Sequence, residues 1–80
     1  MKNKNIFPLL FANEDEIVSI SELTGGQRFK DKCIKQEIIP GRKIKILSKT
    51  HRGPVLIFVN NSRIIIGSGM SKKILVENIS

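Results

Sequence analysis

The sequence contains no tryptophan, no tyrosine, one cysteine and one histidine among its 80 residues. A single cysteine excludes an internal disulfide framework and is typical of proteins from a reducing compartment. No stretch approaches the roughly 18 apolar residues that a membrane-spanning helix needs. A chain of this length buries only about 60% of the surface that it exposes when unfolded. We therefore expect one domain over residues 1–80, with a modest core and little room for a substrate cavity.

The N-terminus carries two lysines ahead of an apolar stretch over residues 6–12. This stretch is at the lower limit of length for a signal peptide, contains Pro8, and has Leu10 where the cleavage site needs a small residue. We interpret it as a chain end that packs on the domain, with residues 1–7 loosely ordered. This interpretation predicts a cytoplasmic protein.

Alternation of apolar and polar residues predicts several short strands. Val18 and Ile20 alternate with serines in residues 16–23, and Ile44 and Ile46 alternate with lysines in residues 42–48. Residues 55–59 are continuously apolar, and residues 60–62 are typical of a hairpin turn. Further strands are expected at residues 63–66 and 74–76, with a helical or 3₁₀ turn between them.

One short helix is predicted over residues 27–36, where Phe29, Cys33 and Ile34 recur at helical spacing. Pro40 followed by Gly41 indicates a tight turn after it. The fold class is therefore mainly β, namely a small SH3-like β-barrel of about five strands with one short α-helix. A five-stranded OB barrel is the nearest alternative.

The sequence offers no constellation for catalysis. Cys33 and His51 lack a third group that would orient the base, and we expect Cys33 to be a small buried apolar residue. Residues 14–16 are three consecutive carboxylates, which indicates a solvated acidic turn. A transition metal needs three or four convergent ligands, whereas this chain has one histidine and one cysteine. We predict a non-enzyme with no identifiable catalytic, cofactor-binding or metal-binding residue. A metal site shared between copies of the chain in an oligomer remains an open alternative.

The net charge is +7, and residues 25–73 hold twelve basic side chains against two acidic ones. Such a surface attracts nucleic acid, anionic membranes or acidic protein patches, although it can also serve solubility alone. Single-stranded nucleic acid is usually bound on exposed aromatic side chains. The four phenylalanines lie in apolar contexts that predict core positions, which leaves duplex binding through phosphates as the nucleic-acid alternative.

Five segments occur in an order shared with a known family: Pro8-Leu9, Ile20-x-x-Leu23-x-Gly25-Gly26, Ile38-x-Pro40-Gly41-x-x-Ile44-x-Ile46, Gly53-Pro54 and Gly69 through Val76. From about residue 8 to residue 77 the chain resembles the ferrous iron transport protein A (FeoA) family of small SH3-like domains. Ser71 stands where that family often has alanine, and Asp15 where a turn glycine is common. Gln36-Glu37 replaces a common Leu-Gly, and this change argues against a left-handed helix cap.

The resemblance implies a cytoplasmic, non-enzymatic accessory protein of bacterial ferrous iron uptake. Such a protein would dock on the cytoplasmic GTP-binding part of the Fe(II) membrane transporter and modulate it. The same barrel type resembles the C-terminal domain of iron-dependent repressors, so binding of a transition metal (Fe2+) is an expectation at the family level. A transition-metal-binding sensor and a small basic nucleic-acid-binding barrel are the alternatives. The candidate partner-binding surface is cationic and comprises Arg42, Lys43, Lys45, Lys49, Arg52, Arg63, Lys72 and Lys73.

Overall fold

Antiparallel strands are the predominant secondary structure of the computed structural model, which describes residues 5–50 and 53–79. The elements in chain order are β1 (Ile6–Pro8), a 3₁₀ turn (Leu9–Phe11), β2 (Ile17–Leu23), α1 (Gln27–Lys35), β3 (Lys43–Lys49), β4 (Val55–Val59), β5 (Ser62–Ile66), α2 (Ser68–Ser71) and β6 (Ile74–Asn78). The predicted strands and the predicted helix are confirmed within a residue or two at most of their ends. None of the helices in the described part of the chain is long and apolar enough to cross a membrane.

All strands belong to one sheet with the order β1-β6-β2-β3-β4-β5. Alternate residues of β2 to β6 point to the same side, where they form a single apolar cluster with Leu9 and Cys33. A sheet that buries one face in one cluster must curve around that cluster, because no second layer of comparable size covers it. The core therefore lies inside the curved sheet, and the outer face is left to solvent.

The N-terminal end is more ordered than the sequence suggests. Ile6 and Phe7 were expected in a loosely ordered end, yet they lie in β1 opposite Glu77 and Val76 of β6. Strand β6 would otherwise present unpaired backbone groups on that side, and β1 satisfies them. This extra strand raises the count from about five to six in the described residues, and residues 1–4 lie outside them.

Two tight turns form as predicted. The amide of Arg42 donates to the carbonyl of Ile39 at 3.1 Å, and Gly41 between them has φ 91°. These are the features of a type II turn with proline second and glycine third. Asn60 and Asn61 have φ of 49° and 64°, and this pair of positive angles gives the two-residue hairpin turn whose twist matches the flanking strands.

The end of α1 departs from the prediction. Glu37 has φ 66°, and its amide donates to the carbonyl of Ile34 at 3.0 Å. The amide of Ile38 donates to the carbonyl of Cys33 at 2.9 Å. This pair of hydrogen bonds is the Schellman motif, in which glycine usually occupies the left-handed position. The left-handed cap thus forms with glutamate in place of glycine, and the buried Ile38 packs in the core after it.

The inner side of α1 is narrower than its spacing predicts. Cys33 is fully buried, and Phe29 is partly buried against the core, whereas Ile34 is 51% exposed. Adjacent helical residues differ in direction by about 100°, so a helix of nine residues resting on a curved sheet buries one of the two positions and not both. The predicted burial of Cys33 is confirmed, and Ile34, which shares the helical spacing, lies outside the buried side of α1.

Candidate functional site

The outer face of β3, β4 and β5 carries a patch of cationic and apolar side chains. Antiparallel pairing places Ile17 opposite Lys45, Lys45 opposite Phe58, and Phe58 opposite Arg63. Directly opposed residues share one face of a sheet, with Cβ atoms about 5 Å apart. One continuous row therefore crosses four strands. Side chains two positions along the same strands extend it, and we call the whole set the outer cationic face: Ile17, Lys43, Lys45, Phe58, Arg63 and Ile65.

Large apolar side chains on this face are open to solvent. The exposed fraction is 52% for Ile17, 39% for Phe58 and 68% for Ile65. Isolated exposed apolar residues are ordinary, but three on one face of a sheet form the kind of patch that marks interaction surfaces. The outer cationic face therefore combines apolar area, which favours association, with charges that select the partner.

The charges of this face have a single sign. Strands β3, β4 and β5 contain no aspartate or glutamate. Among the residues that the structure describes, the side chains of Lys43, Lys45 and Arg63 form no ion pair or hydrogen bond. The neighbouring strands differ, since Glu22 of β2 and Glu77 of β6 lie on their outer side. The boundary between positive and negative surface thus runs along β2.

A shallow depression of about 530 Å³ adjoins one end of the outer cationic face. Its lining residues are Asp15, Glu16, Ile17, Lys43 and Ile79. Ile17 and Lys43 belong to both features, so the depression continues the face toward the turn before β2. Its lining combines two exposed isoleucines with charged side chains of both signs.

Lys49 lies apart from the other predicted cations because of a bulge in β3. The register with β4 shifts between Ile46 and Ser48, and one extra residue turns all later side chains to the opposite face. Lys49 consequently shares a side with the buried Val55. Its ammonium donates to the carbonyls of Leu10 and Ala12 at 3.0 and 2.7 Å, so it holds the 3₁₀ turn to the sheet.

Arg42 is also engaged within the chain. Its guanidinium Nη1 lies 3.0 Å from Oε1 of Glu37, the residue in the left-handed cap of α1. Both side chains are partly exposed, so this ion pair contributes at most about 1 kcal/mol. It orients Arg42 toward the helix end and reduces its availability to a partner.

Lys72 and Lys73 lie in the connection between α2 and β6, and Lys73 lies beside the start of α1. The ammonium of Lys73 lies 5.7 Å from the ring centroid of Phe29, within the range of a cation–π contact. Its backbone carbonyl accepts a hydrogen bond from the hydroxyl of Thr24 at 2.9 Å. Arg52 lies outside the described residues. The structure thus brings Lys43, Lys45 and Arg63 together and places the other described members elsewhere.

Sequence reasoning missed the apolar half of this surface. Phe58 was predicted to be in the core, yet it lies on the outer side of β4 and Phe11 is also exposed. The exposure of Phe58 could have been predicted from alternation along the strand. Val55, Ile57 and Val59 are buried at every second position, so Phe58 points to the opposite face of the sheet. The exposed cations of α1 were not included either, and they form a second basic surface: Arg28, Lys30, Lys32 and Lys35.

Cys33 and the carboxylates do not converge on a reactive centre. Burial raises the pKa of the Cys33 thiol, and nearby Lys32 lowers it by less. A thiol in this setting stays protonated and is a poor nucleophile at neutral pH. Within residues 5–50 and 53–79, no three histidine, cysteine, aspartate or glutamate side chains are grouped closely enough to hold a metal ion. His51 lies outside these ranges.

The fold is that of a small, mainly β domain. The chain belongs to the FeoA domain family, whose model matches residues 7–78. Over 73 residues it is 34% identical to a candidate Fe(2+) transport protein A from Methanocaldococcus jannaschii, covering 91% of this chain and 88% of that protein.

Solved structures agree on the architecture. The crystal structure of an iron uptake regulatory protein, FeoA, superposes with a TM-score of 0.88 at 24% identity, covering 94% of this chain and all of that one. A manganese-dependent transcriptional repressor superposes with a TM-score of 0.86 at 10% identity over 98% of this chain and 44% of its own length. Both likenesses concern the fold alone. The expected SH3-like fold class is confirmed.

Proposed function

We propose that this chain is a non-enzymatic, cytoplasmic accessory protein of ferrous iron uptake. It docks on the cytoplasmic GTP-binding part of the Fe(II) membrane transporter and modulates transport. Membership of the FeoA family supports the role in iron uptake. The observation that supports docking is the outer cationic face, where exposed apolar side chains alternate with unpaired cations.

The apolar side chains supply the driving force for docking. Complete burial of one large apolar side chain contributes about 1.5–3 kcal/mol, and Ile17, Phe58 and Ile65 are each 39% exposed or more. A surface that served solubility alone would gain nothing from three such residues in one patch. Their arrangement therefore favours a docking surface over a merely solubilising one.

The charges determine which surfaces can dock. Lys43, Lys45 and Arg63 attract an acidic patch and repel a basic one, which affects the association rate and the choice of partner more than the affinity. The expected complement on the transporter is an apolar centre with aspartates or glutamates around it. Association should accordingly slow as ionic strength rises, because salt screens charges at the edge of an interface.

Amide chemical-shift mapping of the full chain tests this proposal with three titrants. These are the cytoplasmic domain of the transporter, a short DNA duplex, and Fe(II) under anaerobic conditions. We expect saturable shifts on β3, β4 and β5 with the transporter domain only. Shifts with the duplex alone would favour the nucleic-acid alternative, and saturable shifts around His51 with Fe(II) alone would favour a metal sensor. Either result would contradict docking on the transporter.

A further inference from the structure

Strand β5 ends the sheet with an open edge. Its two-residue turn makes Val59 and Ser62 the first hydrogen-bonded pair with β4, and bonded pairs then alternate along the register. Ile64 and Ile66 therefore bond to β4, whereas the backbone groups of Arg63 and Ile65 point away from it. In the described part of the chain, those outward groups have no strand and no other backbone partner.

The β5 edge lacks the features that normally block strand pairing. Proteins protect edges with short strands, proline, bulges or several charges. The opposite edge of the sheet follows this rule, since β1 has three residues and ends in Pro8. Strand β5 has five residues without proline, an unbroken register and one charged side chain.

The apolar side chains of β5 are also incompletely covered. Ile65 is 68% exposed on the outer side. On the inner side Ile64 is only half-buried, although Ile57 directly opposite it in β4 is fully buried. A further strand along β5 would cover both isoleucines while it satisfied the outward backbone groups of Arg63 and Ile65.

Charge decides between the possible occupants of this edge. Pairing of two copies through β5 would bring together two outer cationic faces, each with Lys45 and Arg63, on chains of net charge +7. Adjacent strands lie about 4.8 Å apart, so the two Arg63 side chains would repel at close range, while Lys45 lies two strands further in and adds to the positive potential. The same positive charge would attract a strand that carries acidic side chains.

We propose that β5 binds an extended acidic segment of a partner protein as a seventh strand of the sheet. The segment carries a glutamate or aspartate beside Arg63 and an apolar side chain, two residues along, beside Ile65. Backbone hydrogen bonds to Arg63 and Ile65 provide affinity, and the two side-chain positions provide selectivity. This inference extends the proposed docking function. It rests on that function because it takes the transporter to be the protein that contains the acidic segment.

Solvent-exchange rates of individual amides, measured by NMR on the full chain, test this inference directly. Unpaired amides exchange quickly, so those of Arg63 and Ile65 should be fast in the free protein while that of Ile64 is protected. Two probes are added in turn. One is the transporter's cytoplasmic domain, and the other is a capped decapeptide in which each glutamate is followed two residues later by a valine. The control is the same peptide with lysine in place of each glutamate.

The inference predicts that the glutamate peptide and the transporter domain each slow exchange at Arg63 and Ile65 at least tenfold, and that the lysine peptide does not. Slowing by the peptide without binding of the domain would support the edge site and contradict docking on the transporter. Binding of the domain with unchanged exchange at both amides would contradict the edge site and leave docking intact. Unchanged exchange with both probes would overturn the inference.

A charge-reversal variant adds an independent check. Arg63→Glu leaves all backbone groups of β5 in place, and its exposed side chain makes no contact that the fold needs. We expect it to weaken binding of the glutamate peptide at least fivefold and to strengthen binding of the lysine peptide. Equal affinities of the natural chain and the Arg63→Glu variant for the glutamate peptide would contradict the predicted contact with Arg63.

Discussion

Glu37 should limit the stability of the fold, and replacing it with glycine should relieve the strain. Its φ of 66° is left-handed, which costs a residue with a Cβ atom about 1–2 kcal/mol. Glycine avoids this cost but loses about 0.4–1 kcal/mol through its greater freedom in the unfolded chain. Glu37→Gly should therefore be about 0.5–1 kcal/mol more stable than Glu37→Ala. Both variants lose the ion pair with Arg42 equally.

Thermal unfolding of the two variants, followed by circular dichroism, measures this difference. For a domain of this size, 1 kcal/mol corresponds to about 4–8 °C in Tm, so Glu37→Gly should melt about 4 °C above Glu37→Ala. Glu37→Gly should lie within about 1 kcal/mol of the natural chain, because loss of the ion pair between partly exposed groups, which contributes at most about 1 kcal/mol, offsets the relief of strain. Equal melting temperatures for the glycine and alanine variants would refute the left-handed cap.

Substitutions at three further positions test packing and burial. Lys49→Met keeps the side-chain length but removes the hydrogen bonds to the carbonyls of Leu10 and Ala12, and should cost about 2 kcal/mol in urea unfolding; an unchanged midpoint would contradict these contacts. Ser71→Ala should change stability by less than about 0.5 kcal/mol. It removes the hydrogen bond from the buried Ser71 hydroxyl to the carbonyl of Ser68, but that carbonyl also accepts a hydrogen bond from the Lys72 amide and so keeps a partner. Ser71→Val should instead cost about 1–3 kcal/mol by overpacking, and equal stability of the two Ser71 variants would argue against its burial. Burial raises the pKa of the Cys33 thiol, so the unfolded chain loses its proton first as pH rises above about 8.5. The stability of the natural chain should then fall relative to Cys33→Ala between pH 8 and 10, and a constant difference across this range would contradict the shift.

Much of the fold could be predicted because local sequence and global structure agree. The alternation around Val18 and Ile20 and the Pro40-Gly41 turn are local signals that the sheet preserves. Strand β1 has no such signal, since three residues are too few to establish a period and their pairing depends on distant β6. The cap at Glu37 was also unpredictable from propensity alone, because burial of Ile38 compensates for the strained backbone angle.

The candidate site could be predicted only in part, because it also depends on pairing between strands that are distant in the sequence. Lys45 and Lys49 have the same parity in the sequence, yet the bulge in β3 places them on opposite faces. Bulges arise from the register with the neighbouring strand, which single-sequence alternation does not reveal. The exposure of Ile65 within a run of three isoleucines likewise depends on β5 being an edge strand.

The most direct test of docking through the outer cationic face compares two double variants of equal charge. Lys45→Glu with Arg63→Glu changes the face, and Arg28→Glu with Lys30→Glu changes exposed positions of α1 to the same net charge. Their dissociation constants for the transporter's cytoplasmic domain can be measured by isothermal titration calorimetry. We predict that the variant of the face binds at least tenfold more weakly than the natural chain, while the helix variant binds within about twofold of it. Equal weakening by both variants would mean that total charge, and not this surface, governs the interaction, and it would contradict the account.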